Sequence, residues 1–161
     1  MNKYVGDRLP PVLYQFFSAE TMVGVVCTVD EDGFPRGAPM SQFYAPADQV
    51  LLMAAQNKSQ TYLNAVRSAK IALTFMGANN LVFTVQGNVG VVRETMKTNE
   101  NLGILAVFIT EVNSNEACDV VVTGGISTQF RSERWQRLLE SWLAELRSYT
   151  LEDITPLALP I

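Results

Sequence analysis

Segment 56–61, with the sequence QNKSQT, has the side chains that proteins use to hold an anion. Lys58 supplies a positive charge, while Ser59 and Thr61 supply hydroxyl donors. The segment follows an apolar run and precedes residues with helical spacing, so it is predicted to join a strand to the first turn of a helix. Free backbone N–H groups and the positive end of the helix dipole favour a phosphate at such a junction. An ordinary capped helix start has the same composition, so the segment alone does not decide between the two.

Histidine does not occur among the 161 residues. This excludes Ser-His-Asp and Cys-His catalysis and haem bound through histidine, and it removes the commonest metal ligand. The two cysteines, Cys27 and Cys118, lie in apolar runs without the spacing of a zinc site, which favours buried free thiols over a disulfide. No metal site is predicted, and no side chain is an obvious catalytic acid, base or nucleophile.

The charge pattern argues against a nucleic-acid partner, because the net charge is −4 and the twelve lysines and arginines are scattered. No apolar run reaches the length of a membrane span, and the first residues lack the apolar core of a signal peptide. We therefore expect a soluble, cytoplasmic protein that acts on a small molecule and does not bind a membrane. The length predicts one domain over residues 1–161.

The predicted strands must position segment 56–61. Two extended runs, 22–30 and 34–44, flank Gly33 and predict a hairpin, since glycine accepts the positive φ of its turn. Pro35 and Pro39 cannot both lie in an interior ladder, so the second run is interrupted or lies partly at an edge, where unpaired backbone could serve a ligand. Further strands are predicted at 50–55, 71–76, 81–93, 104–112 and 119–123.

Three helices are predicted: a short lid-like one at 10–17, one capped by Ser59, and an amphipathic one at 132–149. The last carries two tryptophans and four leucines on one side, a stripe that fits either a subunit interface or a plug for its own barrel. Strands with only one helix between them disfavour a parallel sheet. We therefore predict a mainly β (α+β) fold, an antiparallel barrel of about six to seven strands with flanking short helices and the C-terminal amphipathic helix.

Four motifs in order carry a resemblance to a known family: GFPRGAPMS at 33–41, the strand with Leu51 and Leu52, QNKSQT at 56–61 and VQGNV at 85–89. Together they resemble the pyridoxamine 5′-phosphate oxidase-like FMN-binding split barrels, from about residue 12 to residue 122. The order and spacing of the motifs are the specific part, since no single motif is diagnostic. The resemblance implies a split barrel, FMN as the cofactor, and a homodimer with the flavin at the subunit interface.

The resemblance also implies roles for individual residues. Gln56 matches the strand end beside the ribityl chain, and Gln86 could present its amide to the flavin. Gln60 stands where many relatives have a second basic residue, so the phosphate is less neutralised unless Arg36, Arg67 or an arginine of a partner subunit compensates. The phosphate positions are Lys58, Ser59 and Thr61, and the positions beside the isoalloxazine ring are Pro39, Met40, Ser41 and Gln42.

An FMN-binding oxidoreductase of unknown substrate is the function that the resemblance implies. The histidine and arginines that pyridoxamine-phosphate oxidases use near their C-terminus have no counterpart here, which argues against that specific activity. A non-catalytic module that binds flavin or the deazaflavin F420 is the alternative, and a ligand-free barrel that mediates protein contacts is a third. The sequence identifies neither an electron donor nor an acceptor.

Overall fold

The computed structural model describes residues 3–19 and 22–157. It contains eight strands, four α-helices and a short 3₁₀ turn at Thr155–Leu157. The strands are β1 (Lys3–Gly6), β2 (Gly24–Val29), β3 (Pro35–Met40), β4 (Phe43–Ala47), β5 (Val50–Gln56), β6 (Lys70–Gly77), β7 (Leu81–Arg93) and β8 (Leu102–Ser114). The helices are α1 (Pro11–Ala19), α2 (Gln60–Ser68), α3 (Glu133–Arg147) and α4 (Leu151–Ile154).

All strands join one antiparallel sheet in the order β3-β2-β6-β7-β8-β5-β4, with β1 also paired to β8. The end strands, β3 and β4, are consecutive in the chain, and only Ser41 and Gln42 separate them. Since two residues span little more than 10 Å, the sheet must curl until its ends meet. The ends join through the chain and not through a ladder, which confirms the predicted split barrel and the predicted interruption of the second extended run.

Four phenylalanines fill the middle of the barrel. Phe75 lies 4.9 Å from Phe17, 5.1 Å from Phe43 and 5.2 Å from Phe83, measured between ring centroids. Gly24 lies opposite Phe75 in the β2–β6 pair, and a Cβ at Gly24 would come within 2.3 Å of the Phe75 ring. The glycine inside this strand therefore makes room for the central aromatic ring.

The β2–β3 hairpin forms as predicted, with Gly33 at a φ of 85°. The Asp30 carboxylate holds the turn, accepting hydrogen bonds from the backbone N–H groups of Asp32 and Phe34 and from Arg36 Nε at 2.8 Å. The Arg36 hydrogen bond, followed by that from Phe34, lowers the pKa of Asp30 below its ordinary value. The turn is thus fixed by an ionised carboxylate.

Helix α3 packs on the outer wall of the barrel. Its Leu143 and Leu146 join a second apolar cluster with β5, β8 and Ile154 of α4. The C-terminal half of the predicted amphipathic stripe therefore covers the wall of its own chain, whereas Trp135, near the N-terminal end, is 52% exposed. None of the helices in the described ranges is long and apolar enough for a membrane crossing.

Several predictions need correction. Strand β1 was not predicted, because its short, exposed sequence has no alternating pattern. The valine run at 119–123 forms no strand, since among the described residues its only backbone partner is Asn80, bonded to Val122.

The cysteines are less buried than predicted. Cys118 is exposed and Cys27 is only half-buried; neither is in a disulfide. Helix α1 is not a lid, because its Leu13 and Phe17 lie in the core.

Candidate functional site

A cavity of about 680 Å³ lies between the split of the barrel and helix α3. Its floor comes from the β3–β4 bend, residues 39–42, and from the end of β5, residues 54–56. One wall comes from the β7–β8 loop and the start of β8, and the roof comes from α3. Four segments distant in sequence therefore form one concave site.

The floor is held by backbone pairing and shaped by small side chains. The backbone N–H of Ala54 donates to the Gln42 carbonyl oxygen at 3.1 Å, which ties the bend to β5. Ala54 and Ala55 are buried and present only methyl groups. The small side chains keep this part of the floor close to the β5 backbone.

The wall loop, residues 94–101, is fastened to the loop before α2 by one side chain. Asn57 Nδ2 donates to the carbonyl oxygens of Glu94 at 3.2 Å and Glu100 at 2.9 Å. The backbone N–H of Asn57 also donates to the Asn101 carbonyl oxygen at 3.0 Å. Asn57 therefore fixes the distance between the wall and the predicted phosphate segment.

Glu145 of α3 fastens the roof to the same loop. Its carboxylate accepts hydrogen bonds from the backbone N–H of Lys97 at 2.8 Å, the backbone N–H of Thr98 at 2.8 Å and the Thr98 hydroxyl at 2.6 Å. Burial alone raises the pKa of Glu145. The hydrogen bonds from Thr98 and Lys97 together lower it by more than burial raises it, so the pKa lies below its ordinary value. An ionised carboxylate thus holds α3 in place.

The roof consists of Trp135, Leu138 and Trp142. The described residues contain two buried polar side-chain atoms without a hydrogen-bond partner, Trp142 Nε1 and Gln42 Oε1, and both belong to side chains that border this cavity. Each such atom costs about 1–3 kcal/mol of stability. A ligand that offered a donor and an acceptor to these two side chains would remove that cost.

Among the described residues, no charged side chain borders the cavity. Its polar groups are amides and hydroxyls, including those of Gln56, Asn99 and Ser41, and its apolar groups include two indole rings. These residues fit the uncharged ring of a flavin, with indoles and alanines against its faces and amides at its edges. They do not by themselves fit its phosphate, which needs a cation.

Five of the nine predicted site residues meet in this cavity. Lys58 instead borders a neighbouring cavity of about 340 Å³, together with Asn57, Tyr62 and Glu94. The wall loop borders both cavities, so an elongated ligand could lie with its ring in one and its anionic end at the other. The five residues are Pro39, Met40, Ser41, Gln42 and Gln56.

The start of α2 has the predicted cap. Ser59 has extended backbone angles, and its hydroxyl oxygen accepts from the backbone N–H of Tyr62 at 3.2 Å. Within the described ranges, the backbone N–H groups of Gln60 and Thr61 have no hydrogen-bond acceptor. These two groups remain available to an anion, although Ser59 and Thr61 border neither of the two cavities.

The other candidates are placed elsewhere. Arg36 is paired with Asp30, and Arg67 donates to the Val29 carbonyl oxygen at 2.5 Å; both arginines border a third cavity of about 510 Å³. Gln86 is exposed and pairs with Glu111 of β8, whereas Gln56 pairs with Leu102. Nine residues of β8, about 30 Å, separate the two pairs. Gln86 therefore lies far from the cavity of its own chain.

The sequence did not identify the roof and the wall as parts of the site. Trp135, Trp142 and Glu145 were assigned only to an amphipathic helix, and Thr98 only to a polar connection. Two tryptophans seven residues apart on one helix face were the available signal, since aromatic rings with a polar edge are frequent in ligand sites.

Comparison with known proteins gives one family. Residues 13–104 match the family model described as pyridoxamine 5′-phosphate oxidase. No curated protein matches the sequence.

Solved structures share the fold. A protein of Lactobacillus delbrueckii, provisionally assigned as a pyridoxamine 5′-phosphate oxidase, aligns with a TM-score of 0.59 and 21% identity over 68% of this chain and 98% of its own. A variant of HupZ from Group A Streptococcus aligns with a TM-score of 0.55 and 15% identity over 65% of this chain and 98% of its own. An F420 reductase aligns with a TM-score of 0.50 and 20% identity over 60% of this chain and 92% of its own. At these identities, the likeness is one of fold.

Proposed function

Because the chain belongs to the pyridoxamine 5′-phosphate oxidase family, we propose that it is an FMN-binding oxidoreductase whose flavin ring occupies the cavity between the barrel split and α3. The main support is that five residues matched to the flavin site from sequence border one uncharged cavity. When bound, FMN supplies the redox chemistry, transferring a hydride or electrons through its N5.

The residues of this chain would bind and orient the cofactor. Backbone and side-chain groups of 39–42 would contact the ring, and Gln56 would contact the ribityl chain. Lys58 and the free N–H groups at the start of α2 would hold the phosphate, with Asn57 keeping the two parts of the site at a fixed separation. Helix α3 would exclude water from the ring.

Absorbance of the purified protein and titration with FMN test the cofactor. We expect a yellow protein, or an apoprotein that quenches FMN fluorescence at one site per chain. A colourless protein that neither quenches FMN fluorescence nor gains thermal stability with FMN would contradict the proposal. In that case the ligand-free barrel becomes the better interpretation.

A non-catalytic module that binds flavin or F420 is the second candidate. It is favoured by one observation, namely that within residues 3–19 and 22–157 no ionisable side chain borders the cavity to act as a general acid or base. Reduction of bound FMN by NAD(P)H with multiple turnovers to an acceptor would favour the enzyme. Reduction without turnover, or tighter binding of F420 than of FMN, would favour the module.

Lys58 gives a direct test of the phosphate site. The Lys58→Ala variant should bind FMN more weakly by about 1–3 kcal/mol, roughly fivefold to 150-fold, because it loses a charge-assisted contact. Riboflavin, which has no phosphate, should bind equally well to both proteins. Fluorescence titration measures both ligands, and Lys70→Ala, at an exposed lysine at the start of β6, is the matched control. Equal FMN affinity of the wild type and Lys58→Ala would refute the assignment.

We further propose a homodimer with the flavin at the subunit interface. Only the C-terminal half of helix α3 packs against its own chain. The apolar side chains of Val120, Val121 and Phe130 are exposed, and a partner subunit would bury them. Light scattering coupled to size-exclusion chromatography measures the mass. A monomer at micromolar concentration, with FMN bound, would contradict this arrangement.

A further inference from the structure

The charge of the main cavity restricts what can enter it besides the cofactor. A phosphate or carboxylate group that leaves water needs a cation or several N–H donors to replace its hydration. The cavity border offers amides, hydroxyls and indoles, and no lysine or arginine. An anionic substrate, including a phosphorylated one such as the namesake substrate of the family, would therefore lose hydration without compensation from the described residues of this chain.

The roof has the chemistry to hold a flat, uncharged ring. Both tryptophans of the sequence border the cavity, and Leu138 lies between them on α3. An indole offers a large rigid face at low cost in conformational entropy, and aromatic pairs gain from offset or edge-on contact. Nothing comparable borders the Lys58 cavity, whose one aromatic residue is Tyr62.

The roof is also fixed in position. Leu143 and Leu146 are buried against the barrel wall, and the Glu145 carboxylate bonds to Lys97 and Thr98 of the wall loop. Helix α3 lies beyond the family match, which ends at residue 104. The part of the cavity made by α3 thus lies outside the region that carries the family match.

We propose that the second occupant of this cavity is an uncharged, flat aromatic substrate, stacked under Trp135 and Trp142, and that α3 is the element that selects it. The unpaired Trp142 Nε1 and Gln42 Oε1 suit a neutral molecule with one acceptor and one donor, such as an aromatic amide. Both atoms are buried in the structure, so binding of such a molecule requires the two side chains to turn toward the cavity. The proposal rests on the proposed function, because the flavin and this molecule would share one cavity.

Two probes of the same shape and different charge test the proposal. We use 2-naphthamide, which is neutral, and 2-naphthoate, which carries one negative charge, each titrated by calorimetry into FMN-loaded protein. The amide should bind at least about tenfold more tightly than the carboxylate. Trp135→Ala should weaken the amide at least about fivefold. Phe34→Ala, which removes an exposed aromatic side chain at the β2–β3 turn, should leave its binding unchanged.

A second variant should reverse the preference for 2-naphthamide over 2-naphthoate while keeping both indole rings. Leu138→Lys places an ammonium group at the roof, at a half-buried helix position, and should tighten 2-naphthoate at least about tenfold relative to 2-naphthamide. Equal binding of the two probes to the wild type, or an unchanged amide affinity in Trp135→Ala, would overturn the proposal while leaving FMN binding intact. Failure of the wild type to bind FMN would overturn the proposed function and this inference together.

Discussion

Replacing Glu145 by alanine is expected to lower the free energy of unfolding by about 2–4 kcal/mol. The variant removes one acceptor for three hydrogen bonds and leaves the N–H groups of Lys97 and Thr98 without a partner beside α3. Urea denaturation measures the loss. Because the two tryptophans border the cavity, their fluorescence before unfolding should also shift as the roof separates from the wall loop.

Glu140→Ala is the matched control for this prediction. Glu140 is exposed on the same helix, and its side chain accepts only from Gln136 at 3.0 Å. Its removal should change stability by no more than about 0.5 kcal/mol. Equal stabilities of Glu145→Ala and Glu140→Ala would show that the carboxylate does not fasten the roof.

The same carboxylate gives a pH dependence with a definite sign. Since the folded-state pKa of Glu145 is lowered, the unfolded chain takes up a proton at a higher pH than the folded one. The stabilisation is therefore complete above the unfolded-state pKa and is lost as the pH falls through the folded-state pKa. The difference in stability between the wild type and Glu145→Gln should shrink in that window, while Asp30 and Asp153, also with lowered pKa values, contribute to both proteins alike.

Phe75→Ala is expected to be the most destabilising substitution, at about 3–5 kcal/mol. Phe75 is fully buried and contacts Phe17, Phe43 and Phe83, so its removal opens a cavity that three strands and α1 surround. The backbone of a paired strand cannot move inward to fill this space. Chemical denaturation should show a lower midpoint with an unchanged dependence on denaturant.

Met76→Ala provides the comparison at the next position of β6. Met76 is 49% exposed and points to the other side of the sheet, so its removal should cost less than about 1 kcal/mol. If Phe75→Ala were no more destabilising than Met76→Ala, the aromatic cluster would not be the centre of the core. The FMN affinity of a still-folded Phe75→Ala should be nearly unchanged, since Phe75 does not border the cavity.

Local patterns predicted the elements whose causes are local. Gly33 and the alternation around it predicted the β2–β3 hairpin, and Ser59 predicted the start of α2, because a turn and a cap depend on neighbouring residues. The predicted strand at 119–123 does not form, because a strand depends on a distant pairing partner as well as on its own residues. Its β-propensity is real, but a strand also needs an edge to pair with, and the sequence does not show which edges are already occupied.

The candidate site shows the same division. Residues 39–42 lie at the β3–β4 bend and Gln56 lies at the end of β5, and all five border the same cavity, while their role toward a flavin stays a prediction. The roof and the wall come from α3 and the β7–β8 loop, which the sequence did not connect with the site. Glu145 holds α3 to that loop through hydrogen bonds to residues 47 and 48 positions earlier in the chain. Asn57 holds the loop through hydrogen bonds to residues 37 and 43 positions later. No spacing rule connects residues so far apart.

The central position of β8 in the sheet affects how the protein is made. This strand pairs with β1, β5 and β7, so the barrel cannot close on the ribosome until Ser114 has emerged, and α3 is translated later still. The outer wall at Val50, Leu52 and Ala54 waits for α3 and α4 to cover it. During synthesis the nascent chain therefore exposes an apolar surface, and the cavity is complete only after translation of the C-terminal helices.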